Sequence, residues 1–361
     1  MTSRLSSPFQ FRNGAVAKNR VWLAPMTNLQ SHDDGTLSEE ERRWLVSRAV
    51  GGYGVIETCA AYVADEGKAW PGELGVASDA HIPGITQLAA DLVAHGATGL
   101  VQLFHGGVRA DPNLTGVPAW SASAVTEGDV TPREATEADI VGVIDHFRDA
   151  AVRSHRAGFQ GVELHGAHGY LLCQFLSAAN NLRTDRWGGS WENRARLLRE
   201  TVRAVRAAVP ASFIVGVRIS PENFGQARGL DLDENLQLAR WLADDGVDFL
   251  HLSLWTATRN TTKRPDVHPI PLFREVLPPE VPIVVAGHIW TRADAEAVLD
   301  RGADGVALGR SAIANPSWPR DIEDPTWEPR RPPFTTRELE ERGLSEQFAR
   351  YMAKWKGFVI D

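Results

Sequence analysis

Eight short, β-rich apolar runs recur along this 361-residue chain, each separated from the next by a turn and an amphipathic stretch. They cover residues 21–26, 54–58, 99–104, 161–165, 213–218, 248–253, 281–286 and 305–309. Runs that are apolar on both faces suit parallel strands covered by helices. Their regular alternation with helical stretches predicts an α/β fold, a single (β/α)8 TIM barrel with a C-terminal extension. A doubly wound open sheet is the alternative arrangement of the same units.

The intervening helices carry their own start and stop signals. Ser38 and Glu41 have capping-box spacing and open a segment that ends at Gly51 and Gly52. Thr136 with Asp139 repeats that start, and Ile140, Val143, Ile144 and Phe147 follow as one apolar stripe that Gly158 closes. Asp233 is a candidate cap for a helix ending near Gly246, and Thr291 for one ending near Gly302. No break in composition marks a second domain. The proline-rich stretch from Pro316 to Pro333 reads as a surface connection to a C-terminal tail.

Composition narrows the partners. A net charge of -8 argues against nucleic acid as the main partner, and no apolar run approaches membrane-spanning length. Cys59 and Cys173 are too few for a disulfide framework. The stretch from Met1 to Gln10 lacks the basic region and apolar core of a signal peptide, so a cytoplasmic location is the expectation.

In a barrel the chemistry gathers at the C-terminal ends of the strands, so polar residues there are the informative ones. Thr27 follows the first run, Gln102 and His105 belong to the third, and His165, His168 and Tyr170 to the fourth. Arg218 lies in the fifth, Gly287 follows the seventh, and Gly309 with Arg310 closes the eighth. A Gln and an Arg inside apolar strands are costly to bury alone, which implies a polar partner for each.

Two of these ends suggest particular chemistry. Gly309 would let the backbone approach an anion closely, Arg310 would add charge, and Gly287 would form a second wall, which together make a phosphate cradle. A plain strand-to-helix turn would use the same glycine. In the segment from His165 to Tyr170, two imidazole N–H groups suit binding of a carbonyl oxygen, with a phenol nearby to deliver a proton. The histidines could instead hold zinc or be structural, although no HExxH pattern surrounds them and no third ligand is evident, so no metal is expected.

These residues resemble old yellow enzymes. The resemblance rests on Pro25-Met26-Thr27, Gln102, the segment from His165 to Leu171, Arg183-Thr184-Asp185, Gly188-Gly189-Ser190, Glu192-Asn193-Arg194, Arg218 and Gly309-Arg310. It runs in order from about residue 8 to about residue 320. It implies one FMN-binding barrel domain over residues 1–361, with the barrel at about 18–320 and the tail at about 321–361. It further implies that Pro25, Met26 and Thr27 meet the isoalloxazine edge, that Gln102 and Arg218 bind the pyrimidine side, and that Gly287, Gly309 and Arg310 hold the phosphate. NADPH or NADH would reduce the flavin, and no separate dinucleotide domain is required. An electron-poor alkene would then accept hydride from the flavin N5, with its activating carbonyl or nitro oxygen held by His165 and His168 and its α-carbon protonated by Tyr170. A homodimer is a family expectation.

Departures from the family pattern limit what is carried over. Asn28 and Leu29 stand where some relatives place a tyrosine, and Thr27 stands where some branches have cysteine. The tail from Arg350 to Phe358 offers no secure equivalent of an arginine that enters a neighbouring subunit's site in some relatives, so that contact is not transferred. Trp70 and Trp255 are candidates for lining the substrate pocket, with core packing the alternative for each. The loop from Thr256 to His268 is a candidate lid or an unstructured connection. The same flavin site would also suit desaturation or demethylation. A non-redox, phosphate-binding barrel lyase needs an amine or a metal, and none of the five lysines lies in a strand end. A degenerate barrel serving only as a binding module is the third reading, disfavoured by the joint presence of His165, His168, Tyr170 and Arg218.

Overall fold

The structure, a computed structural model, describes residues 4–360; the first three residues of the Met1 to Gln10 stretch lie outside it, as does Asp361. Among the described residues, eight parallel strands close into a barrel: β1 (Val21–Leu23), β2 (Val55–Tyr62), β3 (Thr98–Phe104), β4 (Gly161–Gly166), β5 (Ile214–Ile219), β6 (Phe249–Ser253), β7 (Ile283–Ala286) and β8 (Gly305–Leu308). Pairing of β8 with β1 (Ala307 beside Trp22) and of β1 with β2 (Trp22 beside Val55) completes the circle and excludes the open sheet. The connecting helices are α1 (Glu39–Val50), α2 (Ile82–Ala94), α3 (Glu137–Arg156), α4 (Trp191–Ala208), α5 (Leu232–Asp244), α6 (Pro269–Val276), α7 (Arg292–Asp300) and α8 (Arg310–Ala314). None of the described helices is long and apolar enough to cross a membrane.

The helix signals act locally as read, with two exceptions. Thr136 and Asp139, like Thr291 and Asp294, form reciprocal capping boxes, which satisfy backbone N–H groups that an isolated first turn leaves free. Ser38 caps α1 through the Glu41 amide, but the Glu41 side chain turns away to Asn28, Ser31 and Cys59, so that box is one-sided. The cap of α5 is Asp231, not Asp233: its carboxylate accepts from the amides of Asp233 and Glu234, the shortest reach to the free donors of that turn.

Alternation along the strands separates two cores. Outward residues such as Val21, Leu23, Val101, Val162, Val217 and Leu250 pack under the helices. Inward residues Trp22, Val55, Leu100, Ile214, Phe249 and Val284 fill the lower barrel, closed from below by Phe9 and Phe11 of the N-terminal hairpin (Phe9–Gln10 with Val16–Ala17). Gly216 is required at this level, because a Cβ there would lie 2.1 Å from the Phe249 ring. A β-bulge in β2 between Glu57 and Ala60 shifts the parity of the strand, so that Val55 and Glu57 face inward below it while Ala60 reaches the upper cavity above it.

The C-terminal segment packs against the barrel. Phe334, Leu339, Phe348 and Met352 are buried in the main core, and Phe348 meets Trp44 of α1 edge-on at 5.2 Å. Its two helices, α9 (Thr336–Glu341) and α10 (Glu346–Met352), bring the end of the chain up to the mouth of the barrel.

Candidate active site

A cleft of about 340 Å³ opens at the C-terminal mouth of the barrel, with a recess of about 70 Å³ at its floor. Thr27, His168, Tyr170 and Arg218 border both. The recess also takes in Trp70, Gln102 and His165, whereas the outer cleft takes in Trp255, Gly287, Gly309 and Arg310. Pro25 and Met26 form the shared wall. Side chains chosen from separate strands therefore converge on one cavity. His105 does not: it is turned inward against Trp120 at 4.9 Å, accepts the Gly107 amide, and burial pushes its pKa down to about 3.

The histidine pair is held in a defined state. His165 Nδ1 accepts the Ala167 amide at 3.3 Å, which assigns its N–H to Nε2. His168 sits in the left-handed region at φ 60°, fixed there by its amide on Ser220 Oγ at 3.1 Å and its carbonyl on Arg109 Nη1 at 2.8 Å. Its Nε2 lies 2.6 Å from Ser253 Oγ, which itself accepts from Arg218 Nη2 at 3.1 Å. Arginine is always a donor, so the serine hydroxyl is free to donate to Nε2, and the histidine proton is then assigned to Nδ1. Burial, reinforced by nearby positive charge, holds both imidazoles well below the ordinary histidine range. Each thus offers one neutral N–H, with the rings 5.0 Å apart and nearly perpendicular.

Tyr170 stands 5.0 Å from the His165 ring and packs edge-on against Phe104 at 4.5 Å. The Arg109 guanidinium lies 5.0 Å over its face, anchored by Glu127. Burial raises the phenol's pKa, and Arg109 pulls in the opposite direction. Trp70 packs on Phe104 at 5.1 Å, so it belongs both to the aromatic core of the mouth and to the recess wall. Trp255, half exposed at 50%, packs at a tilt of 36° against Phe224 at 4.3 Å at the rim. The loop 256–268 is tied down by its own bonds: the Thr262 and Lys263 amides reach Glu222, and Lys263 pairs with Asp231.

Gln102 and Arg218 each find a polar partner within the barrel. Gln102 donates to Glu163 Oε1 at 2.7 Å, and Arg218 to Ser253. In the Arg183 to Arg194 segment, Arg183 binds the carbonyls of Ala122 and Ala135, and Arg194 that of Leu176. Sequence reasoning missed the contribution of the tail. Tyr351, Met352 and Trp355 line the outer cleft together with Thr27, and Trp355 lies 5.6 Å from the Arg310 guanidinium. Only the buried positions of α10, Phe348, Ala349 and Met352, hinted that the helix docks rather than trails.

Features of the cleft fit an elongated, anionic, hydrogen-bonding cofactor. Arg218 keeps a buried Nε without a partner beside the recess, and Ser311 a buried hydroxyl without one next to Gly309. At Gly287 a Cβ would fall 2.5 Å from the Leu254 carbonyl, so only glycine lets the chain pass that close to the segment after β6, while Gly309 lies at the cleft wall beside Met26. A volume of several hundred Å³ is that of a small-molecule or cofactor site.

Comparison with known proteins agrees with this picture. The model of the NADH:flavin oxidoreductase / NADH oxidase family matches residues 4–326. The probable NADH-dependent flavin oxidoreductase YqiG of Bacillus subtilis is 36% identical over 332 residues, covering 89% of this chain and 88% of that protein. The NADH:fumarate oxidoreductase of Klebsiella pneumoniae is 37% identical over 338 residues, covering 88% of this chain but only 36% of that longer protein. The solved structure of the old yellow enzyme homologue from Zymomonas mobilis superposes with a TM-score of 0.82 at 28% identity, covering 95% of this chain and 98% of that one. The barrel, the cleft at its C-terminal mouth and the match over nearly the whole chain lead to one conclusion: the chain belongs to the NADH:flavin oxidoreductase / NADH oxidase family, the old yellow enzymes, and is an FMN-dependent oxidoreductase that draws on a nicotinamide reductant.

Proposed function

We propose that this enzyme reduces the activated C=C bond of α,β-unsaturated carbonyl or nitro compounds. The observation that carries the reading is the sharing of one recess by His165, His168 and Tyr170 with Gln102 and Arg218. When bound, FMN would supply the two-electron chemistry that links a nicotinamide reductant, NADPH or NADH, to the alkene. Gln102 and Arg218 would hold its pyrimidine side, Pro25, Met26 and Thr27 its edge, and Gly287, Gly309 and Arg310 its phosphate.

The protein's own part is positioning and proton supply. The N–H groups assigned to His165 Nε2 and His168 Nδ1 bind the activating oxygen and stabilise the negative charge that develops there as the double bond is polarised. Neutral imidazoles suit this task, since each must donate without surrendering its proton to the oxygen. Tyr170 then gives its hydroxyl proton to the α-carbon, and solvent returns one to the phenolate. Arg109 over the ring stabilises that phenolate, which offsets the penalty burial imposes on it. Trp70 and Trp255 border the space left for the substrate, and Tyr351 adds a hydroxyl beside Thr27. The relative named for fumarate acts on an alkene conjugated to carboxylates, which is consistent with this substrate class, although this chain spans about a third of that protein.

Tyr170→Phe tests the assignment by separating the two half-reactions. Flavin binding and bleaching by NADPH or NADH are expected to survive, while reoxidation by cyclohexenone slows about 10²–10⁴-fold, the usual contribution of a positioned acid. Stopped-flow absorbance reads both steps. An undiminished reoxidation rate would remove Tyr170 as the proton donor.

A further inference from the structure

Below the floor of the recess, the middle layer of the barrel interior is ionic. Glu57 of β2, Gln102 of β3, Glu163 of β4, Arg218 of β5 and His251 of β6 all point inward and all are buried. His251 Nδ1 lies 2.7 Å from Glu163 Oε2 and 3.9 Å from Glu57 Oε2, and Gln102 occupies the other Glu163 oxygen. Glu163 thus accepts two hydrogen bonds. Neither oxygen of Glu57 has a hydrogen-bond partner, and Arg218 Nε and His251 Nε2 are likewise unpartnered.

Two adjacent carboxylates in a medium of low dielectric do not both ionise. The one with two donors keeps the charge, and the one with none keeps a proton, which it can direct at its neighbour. Burial, with the neighbouring Glu163 second, raises the Glu57 carboxyl well above its usual range, and Arg218 only partly opposes this. The donor atoms of Glu57, Glu163 and His251 lie within 4.8 Å of one another, a spacing that would also suit a cation. Arg218 already supplies the positive charge of the layer, and the His251 N–H is engaged with Glu163, so a proton satisfies the trio without a metal.

We infer that Glu163 sets the potential of the bound flavin by partly offsetting the charge of Arg218, with Glu57 held neutral so that the offset is single rather than double. His251 and Gln102 act as positioning residues that fix the carboxylate. The inference rests on the flavin placement proposed above, with its pyrimidine side over Gln102 and Arg218. A guanidinium less compensated by carboxylate stabilises the charge gained on reduction more strongly, so loss of the Glu163 charge must make the potential more positive.

The test is a redox titration of the FMN-loaded protein and of Glu163→Gln, Glu57→Gln and Arg218→Gln. Glu163→Gln is expected to favour reduction at least tenfold, about 30 mV for a two-electron couple. Glu57→Gln, neutral and of equal size, is expected to leave the potential where it was and to remove one protonated-carboxyl band from the infrared difference spectrum. An unchanged potential in Glu163→Gln, or a positive shift in Glu57→Gln as large as that expected of Glu163→Gln, overturns the inference. If Glu163→Gln holds no flavin, the potential and infrared band of Glu57→Gln decide alone. Arg218→Gln, which removes the charge, separates the two: a negative shift there with none in Glu163→Gln leaves the flavin placement standing and this inference broken, while no shift in either removes both.

Discussion

The lower and middle layers of the barrel are built from the same strands two residues apart, yet they do opposite things. Along β2 the inward positions read Val55 then Glu57, along β3 Leu100 then Gln102, and along β6 Phe249, His251 and Ser253. The lower layer is a dry aromatic and aliphatic plug, with Trp22 meeting Phe9 at 5.1 Å and Phe249 at 5.0 Å. The middle layer is a hydrogen-bonded set of charges. Strand parity explains how one chain writes both: a period of two keeps the inward face, and the position along that face decides between packing and chemistry. Stability is vested at the N-terminal end of the strands and reactivity at the C-terminal end, as the barrel architecture generally divides them.

Each layer can be disrupted separately. Trp22→Ala in the lower layer is expected to lower stability by about 3–5 kcal/mol, the usual loss for a buried aromatic. The spectrum of flavin bound to the remaining folded protein should be unchanged. Denaturant unfolding beside visible absorbance checks this; a changed flavin spectrum with intact stability would erase the division between layers.

A smaller effect concerns pH. Because burial depresses both active-site histidines, they stay neutral as pH falls through the ordinary histidine value of about 6.5, and the alkene half-reaction should not weaken there. On the alkaline side Tyr170 stays protonated past the ordinary phenol value of about 10, less whatever Arg109 takes back. A single-turnover pH profile showing a fall with a midpoint near 6.5 would mean that an imidazole titrates in the site. The smallest change expected is that of Tyr351→Phe, which removes the hydroxyl beside Thr27 and should alter alkene KM only a few-fold, with the NAD(P)H half-reaction unaffected. A large loss of turnover would move the tail from the rim of the site to its centre.

Most of this barrel was legible because its signals are local. Each apolar run contains a strand, since a buried parallel strand needs continuous apolar sequence; six agree within two residues at both ends, whereas the first strand stops three residues before its run does and the second continues four residues past it, and Thr136 and Thr291 cap their helices through bonds three residues long. The mouth residues were legible because strand ends are marked by polar breaks in apolar runs. What escaped reading depends on contacts between distant segments. The docking of Tyr351 against Thr27 spans the length of the barrel, and the partnership of Glu57, Glu163 and His251 follows from register among strands that no local pattern reveals. The bulge that returns Ala60 to the inward face is equally silent in sequence, because nothing in Thr58-Cys59 differs from an ordinary strand.

The most direct measurement of the central claim is the visible spectrum of the purified protein under anaerobic conditions, followed through addition of NADPH or NADH and then of an enone. Flavin bands that bleach with the nicotinamide and return with the enone, one equivalent for one, are the expected result. Bands that bleach and stay bleached would contradict the alkene as acceptor, and a protein that neither carries nor takes up FMN would contradict the cofactor site itself.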